Sequence, residues 1–159
     1  VAISEGAGQG STFVVRLPLD LASAPASSEV DAYPTTAKGK TFRILVTDDN
    51  VDAAMTLASL LEMYGHEIRI AYDGGQALQV AEQFRPKIVF LDIGMPGMTG
   101  YEVAQRLRKI KDLESTVIVA VSGWGAKDDL TRSKEAGFDM HFTKPVAPSR
   151  VSDFLSSLD

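Results

Sequence analysis

Three acidic residues, a serine and a lysine stand directly behind short apolar runs. Asp48 and Asp49 follow RILVT (43–47), Asp92 follows KIVFL (87–91), Ser122 follows TVIVAV (116–121) and Lys144 follows MHFT (140–143). Carboxylates gathered in one place repel, and each raises its neighbours' pKa, so the group is costly unless a cation joins it. Hard oxygen ligands suit Mg2+, which keeps several waters and uses one or two carboxylates. A lysine adds positive charge but cannot neutralise three acids. A divalent cation, an ammonium and a hydroxyl around one carboxylate suit phosphoryl transfer. The cations offset charge on the equatorial oxygens while the carboxylate attacks in line, giving an acyl phosphate. Taken singly, each residue has an ordinary reading. Asp48-Asp49-Asn50 could cap a helix, Ser122-Gly123 could be a turn and Lys144-Pro145 a surface loop. What favours a shared site is that the same strand-end position is used four times.

With EIRIAY (67–72), these runs make five β-rich segments, three of them nearly unbroken apolar stretches, as strands buried on both faces should be. Helical stripes lie between them. The first is Ala54, Leu57, Ala58, Leu61 and Tyr64, ended by Gly65. The second, Ala77, Leu78, Ala81 and Phe84, opens with Asp73 and Gln76; the third, Val103, Ala104, Leu107 and Ile110, opens with Thr99 and Glu102. Both openings fit a capping box. A weaker helix is predicted near Ala126–Ala136 with Gly137 behind it, and the last carries Val151, Phe154, Leu155 and Leu158. Five β-then-α units imply an α/β fold, a parallel sheet with helices on both faces. In such sheets ligands bind beyond the C-terminal strand ends.

The 159 residues carry a formal charge of −5, which argues against direct nucleic-acid binding. There is no cysteine, so disulfides and thiolate metal sites are excluded. No apolar run reaches the ~18 residues that span a bilayer, and VAISEGAGQG does not read as a signal peptide. The absence of an initiator Met suggests an internal piece of a longer protein. Residues 1–20 hold a Gly-rich patch and one strand through Phe13, Val15 and Leu17, and residues 21–40 read as a flexible linker rich in Ala, Ser, Thr and Pro. Residues 41–159 form the main domain.

RILVTDDN, IVFLDIGMPGMTGYEVAQRLR, VIVAVSG and HFTKP resemble the motifs of response-regulator receiver domains, over about residues 41–159. The resemblance implies a doubly wound, flavodoxin-like (βα)5 fold. It implies Asp92 as phosphoacceptor, Asp49 as direct Mg2+ ligand with Asp48 acting through water, and the Gly94 carbonyl on the metal. Ser122 and Lys144 would contact phosphoryl oxygens, and the Lys144–Pro145 bond would be cis. The donor would be a phosphohistidine on a kinase or phosphotransfer protein. His141 stands where the family often has Tyr or Phe and would act with Ser122 as a switch, weakened on protonation; otherwise it lies partly exposed on the last strand. Gly94 and Trp124 would border the phosphoryl group. Trp124 is expected either to shield it or to lie over the fourth helix. Partner docking in the family implies a surface of Asn50, Ala53, Ala54, Pro145 and Val146.

The stretch SEGAGQGSTFVVRLPL resembles the end of a histidine-kinase ATP-binding domain, so the parent is expected to be a hybrid sensor histidine kinase in the cytoplasm, with or without a membrane anchor. The fragment would catalyse only its own phosphorylation and dephosphorylation. It should not bind ATP or touch the membrane. The alternative is a docking module of the same fold that is never phosphorylated. A haloacid-dehalogenase-type phosphatase would need an acid two residues after its nucleophile, where Gly94 stands. A flavodoxin-like flavin binder would need a phosphate-cradling loop in place of Asp48-Asp49. His66, entering the second strand, reads as structural or surface, and the basic run Arg106, Arg108, Lys109, Lys111 reads as a solvated face.

Overall fold

A computed structural model of the chain describes residues 2, 3, 6, 10, 12–15, 40–123 and 127–158. Chain contacts divide it into two units, Val1–Tyr33 and Pro34–Asp159. In the first, β1 (Ala2–Ile3) and β2 (Thr12–Phe13) pair antiparallel. The strand expected through Phe13, Val15 and Leu17 stops at Phe13, and Val15 is 80% exposed. Alternation makes a long strand only where a neighbouring sheet buries one face, and a two-residue partner does not. Leu17 and nearly all of the expected linker lie outside the described residues.

The second unit alternates strand and helix. Its elements are β3 (Arg43–Thr47), α1 (Val51–Met63), β4 (Glu67–Ala71), α2 (Gly74–Phe84), β5 (Ile88–Asp92), α3 (Gly100–Leu107), β6 (Val117–Ser122), α4 (Lys127–Ala136), β7 (Met140–Thr143) and α5 (Pro148–Ser156). The strands are all parallel, in the order β4-β3-β5-β6-β7. Central β5 is buried along its whole length, which its unbroken apolar sequence requires. Leu45, Val89, Leu91, Ile118 and Ala120 pack under α2, α3 and the end of α4. On the other face Ile44, Val46, Ile88, Phe90 and Phe142 pack against α1 and α5. Each such fully buried Val, Leu, Ile or Phe side chain contributes roughly 1.5–3 kcal/mol.

Local signals set the helix ends. Asn50 Oδ1 accepts from Ala53 N at 3.0 Å to open α1. Gly65 closes it with φ +85°, its N–H donating to Glu62 O and that of His66 to Leu61 O, a Schellman motif. Thr99 and Glu102 form the full capping box on α3. Hydrogen bonds from the Thr99 backbone and hydroxyl hold the Glu102 carboxyl below its usual pKa. On α2 only half the expected box forms. Asp73 accepts from Gln76 N at 2.8 Å, but Gln76 Oε1 reaches one residue further, to Tyr72 N at 3.2 Å.

Arg108 departs from the solvated-face reading that still holds for its exposed neighbours Arg106, Lys109 and Lys111. Its guanidinium donates to Gly137 O (2.9 and 2.7 Å), Thr116 O (2.6 Å), Glu114 O (3.2 Å) and Asp139 Oδ2 (2.6 Å). Asp139 Oδ2 in turn accepts from Ile118 N at 2.7 Å. A planar fork can satisfy several carbonyls at once, whereas an ammonium cannot. Arg108→Lys should therefore lower unfolding free energy by about 2 kcal/mol in urea melts. This cluster lies at the N-terminal ends of β6 and β7, opposite the edge that carries Asp92, so Mg2+ affinity should not change.

Candidate functional site

Because every strand of the sheet runs the same way, their C-terminal ends share one edge. β3 delivers Asp48 and Asp49 there, β5 ends on Asp92, β6 ends on Ser122, and Lys144 follows β7. Since Asn50 caps α1, neither Asp48 nor Asp49 serves as a helix cap. One carboxylate oxygen from each of Asp48, Asp49 and Asp92 lies within 4.8 Å of the others.

Asp48 and Asp92 are each only 6% exposed, while Asp49 is exposed. Buried carboxylates need partners. Lys144 Nζ supplies them, at 2.6 Å from Asp48 Oδ2 and 3.0 Å from Asp92 Oδ2. The remaining oxygens accept backbone donors. Asn50 N reaches Asp48 Oδ1, and Gly94 N reaches Asp92 Oδ1, each at 3.0 Å. Burial of Lys144 lowers its pKa, but its hydrogen bonds to Asp48 and Asp92 and their charges outweigh that and hold it above the usual lysine value. The Lys144 backbone N–H donates to Ser122 O at 2.7 Å, and the Lys144–Pro145 peptide is cis. Two strands therefore fix the lysine's backbone while two acids fix its head.

Ser122 Oγ lies 2.7 Å from His141 Nε2. His141 is half-buried and turned toward Ser122 rather than out to solvent. Trp124 lies outside the described residues. His66 stands at the far end of the sheet, where its Nδ1 accepts from Phe42 N at 3.3 Å and its ring packs on Phe42. Of the expected docking surface, Asn50, Ala53, Pro145 and Val146 are at least partly exposed. Ala54 is fully buried; it belongs to the apolar stripe with Ala58 and Leu61, and the exposed residues beside it are Val51 and Met55.

Gly100 is the residue that reading by type missed. Its N–H donates to Ile93 O at 3.1 Å. A Cβ there would collide with the Asp92 carbonyl oxygen and lie 2.8 Å from Ile93 Cα. The start of α3 thus packs directly on the backbone that carries Asp92. The only sequence sign was a glycine just behind the capping Thr99.

The family model described as response regulator receiver domain matches residues 44–156. The probable transcriptional regulator ycf27 of Cyanophora paradoxa is 34% identical over 116 residues, 73% of this chain and 47% of that protein. Sensor histidine kinase AtsR of Burkholderia thailandensis is 29% identical over 155 residues, 95% of this chain and 25% of that protein. The chain therefore spans about half of the first relative and a quarter of the second. Among solved structures, the receiver domain of sensor histidine kinase PA1611 from Pseudomonas aeruginosa superposes with a TM-score of 0.68 at 22% identity, covering 74% of this chain and 97% of that one. Its crystal structure has a magnesium ion coordinated in the active site cleft. With strand order, helix placement and family match in agreement, the chain belongs to the response regulator receiver domain family, and its five-stranded unit is a receiver domain of two-component signalling.

Proposed function

We propose that Asp92 takes a phosphoryl group from a phosphohistidine, on a kinase or a phosphotransfer protein, within a phosphorelay. The observation that carries this is the placing of Lys144 Nζ 3.0 Å from an Asp92 carboxylate that shares its pocket with Asp48 and Asp49. In the transfer an Asp92 oxygen–phosphorus bond forms as the donor's nitrogen–phosphorus bond breaks, leaving an acyl phosphate on Asp92. Lys144 holds one phosphoryl oxygen by its charge, and the Ser122 hydroxyl donates to another.

The donor set fits Mg2+: three carboxylates against one ammonium leave two negative charges unmatched, on hard oxygen ligands. Asp49, Asp92 and the Gly94 carbonyl would hold the ion directly, and Asp48 through water. When bound, Mg2+ supplies neutralising charge for the phosphoryl oxygens.

Residues 1–20 are read as the end of a histidine-kinase ATP-binding domain, 21–40 as a linker and 41–159 as the receiver, making the parent a hybrid sensor histidine kinase. The match to AtsR supports this because it runs across 95% of the chain, beyond the receiver. Such a receiver works on the cytoplasmic side, without contact to nucleic acid or membrane. Among the described residues no helix is long and apolar enough to cross a membrane.

The test is intact-protein mass after incubation with acetyl phosphate or a phosphorylated phosphotransfer domain. One added phosphoryl group is expected with Mg2+ and none after chelation with EDTA. No gain under either condition would point to a docking module, and equal gain with EDTA would remove the metal from the reaction.

A further inference from the structure

The N-terminal ends of the strands carry a second set of charged side chains, at the edge opposite Asp92. Arg43 stands two residues before Leu45, Arg69 two before Ala71 and Lys87 two before Val89. Leu45, Ala71 and Val89 belong to the core cluster under α2 and α3, so alternation puts the three cations on that same face. The Lys87 N–H donates to Arg43 O at 2.8 Å, which keeps Lys87 in the ladder. Because β4, β3 and β5 are neighbours, the cations form a row across the sheet end, about 10 Å long at the usual strand spacing.

Arg43 and Arg69 are diagonal neighbours, since Leu45 is the register partner of Arg69. Like charges so placed repel. Glu67 stands opposite Arg43, yet neither arginine forms an ion pair among the described residues. Both guanidiniums lie instead over the ring of Phe84, their central carbons 5.8 and 5.7 Å from its centroid. Phe84 ends α2, and its half-buried ring belongs to neither core cluster. Arg85 follows it in a left-handed conformation (φ 49°, ψ 63°) that glycine usually takes at a helix end. Its contact with Asp112, at 3.4 Å, is exposed and therefore weak. Lys87 Nζ reaches Ser115 O at 3.4 Å. The solvated run of Arg106, Lys109 and Lys111 has no such aromatic platform among the described residues.

We propose that Arg43, Arg69, Arg85 and Lys87 form a docking surface for an acidic polypeptide segment, with Phe84 presenting the two central guanidiniums. Charge complementarity selects the partner. Of the acids on β4, α2 and the loop before β6 (Glu67, Glu82, Asp112 and Glu114), only Asp112 pairs with any of these cations. A guanidinium that stacks by its face keeps its N–H edge for a carboxylate. Spacing selects the form of the partner. The four cations lean toward different neighbours rather than converging on one point, as a single phosphate would require. Carboxylates on alternate residues of an extended chain repeat about every 7 Å and can follow such a row. The surface lies at the other end of the sheet from Lys144 and Asp92, so the proposal does not depend on the phosphoacceptor reading.

Fluorescein-labelled hexaglutamate, added at low salt to the full 159-residue chain and read by anisotropy, tests it. Binding is expected, with NMR shifts at Arg43, Arg69 and Lys87, and hexaglutamine should not bind. Arg43→Gln/Arg69→Gln should weaken binding about tenfold. Arg106→Gln/Lys109→Gln removes the same charge from α3 and should leave affinity within about twofold. Arg85→Gly suits the left-handed backbone, so it should keep or raise the melting temperature while weakening binding about threefold. That combination separates loss of a contact from loss of fold. Absence of hexaglutamate binding by wild type overturns the proposal. Equal losses in the two double variants overturn it as well, because general charge attraction would then explain the binding. Wild-type affinity in Arg85→Gly overturns the four-residue surface. Displacement of the peptide by an equal concentration of inorganic phosphate overturns the choice of partner, since one small anion would then suffice.

Discussion

Asp92→Asn is expected to abolish phosphoryl uptake while leaving the domain folded. The amide has nearly the shape of the carboxylate, and its oxygen can still accept from Gly94 N, now 3.0 Å from Asp92 Oδ1. It has no anionic oxygen to attack phosphorus, and its NH2 cannot accept from Lys144 Nζ, now 3.0 Å from Asp92 Oδ2. Removal of the nucleophile should lower uptake by at least about 10³-fold, which in a mass assay reads as none. Stability should move by only about 1 kcal/mol, because two effects oppose. The lysine loses one of its two acids, and the cluster loses one of three mutually repelling charges. Mg2+ should still raise the melting temperature, but less than in wild type, since Asp48 and Asp49 remain. Persistent uptake in Asp92→Asn would move the acceptor to Asp48 or Asp49. Identical partner binding by wild type and variant, with no uptake by either, would favour docking without phosphorylation.

The residues of this pocket could be named from sequence because a parallel α/β sheet has a strong rule for where strands end. Once RILVT, KIVFL, TVIVAV and MHFT are read as strands, Asp48, Asp92, Ser122 and Lys144 must fall on one edge. All five strands and all five helices of the receiver are near their expected positions. What was not legible depends on side-chain direction or on contacts between distant residues. The period of a strand gives the face of His141 but not the rotamer that brings Nε2 to Ser122. Arg108 lies in a charged run whose bland reading is solvent, and only the fold brings the carbonyls of Glu114, Thr116 and Gly137 around it. Ala54 satisfied two patterns at once, the core stripe of α1 and the docking surface, and burial settled it for the core. The strand through Val15 failed for a different reason, since a pattern of alternation names no partner strand.

Gly100→Ala should damage the site through the backbone, and Gly74→Ala is its control. Each methyl enters space already taken, but the neighbours differ in kind. At Gly74 the new carbon meets side-chain atoms, Val103 Cγ2 at 2.7 Å, Met98 Cβ at 2.9 Å and Met98 Sδ at 3.0 Å. Rotamer changes and a small helix shift can absorb part of that crowding, at a cost of roughly 1–3 kcal/mol. At Gly100 it meets backbone, the carbonyl oxygen of Asp92 with Ile93 Cα at 2.8 Å and Asp92 C at 3.0 Å. A carbonyl cannot rotate away alone, because Ile93 N is bonded to Val121 O at 3.1 Å and Gly94 N to Asp92 Oδ1 at 3.0 Å. Relief must come from displacing the start of α3 or the end of β5, and the second moves the Asp92 carboxylate and Gly94 together. A shift of about 1 Å at a reacting group can cost on the order of 10²-fold in rate. Both variants should therefore lose comparable stability in urea, while only Gly100→Ala loses Mg2+ affinity and one to two orders of magnitude in phosphoryl uptake. Equal loss of uptake in the two would mean that general destabilisation is responsible. Full uptake in Gly100→Ala would mean that α3 gives way instead, and that the close approach of Gly100 to Asp92 serves packing and not the placement of the Asp92 carboxylate.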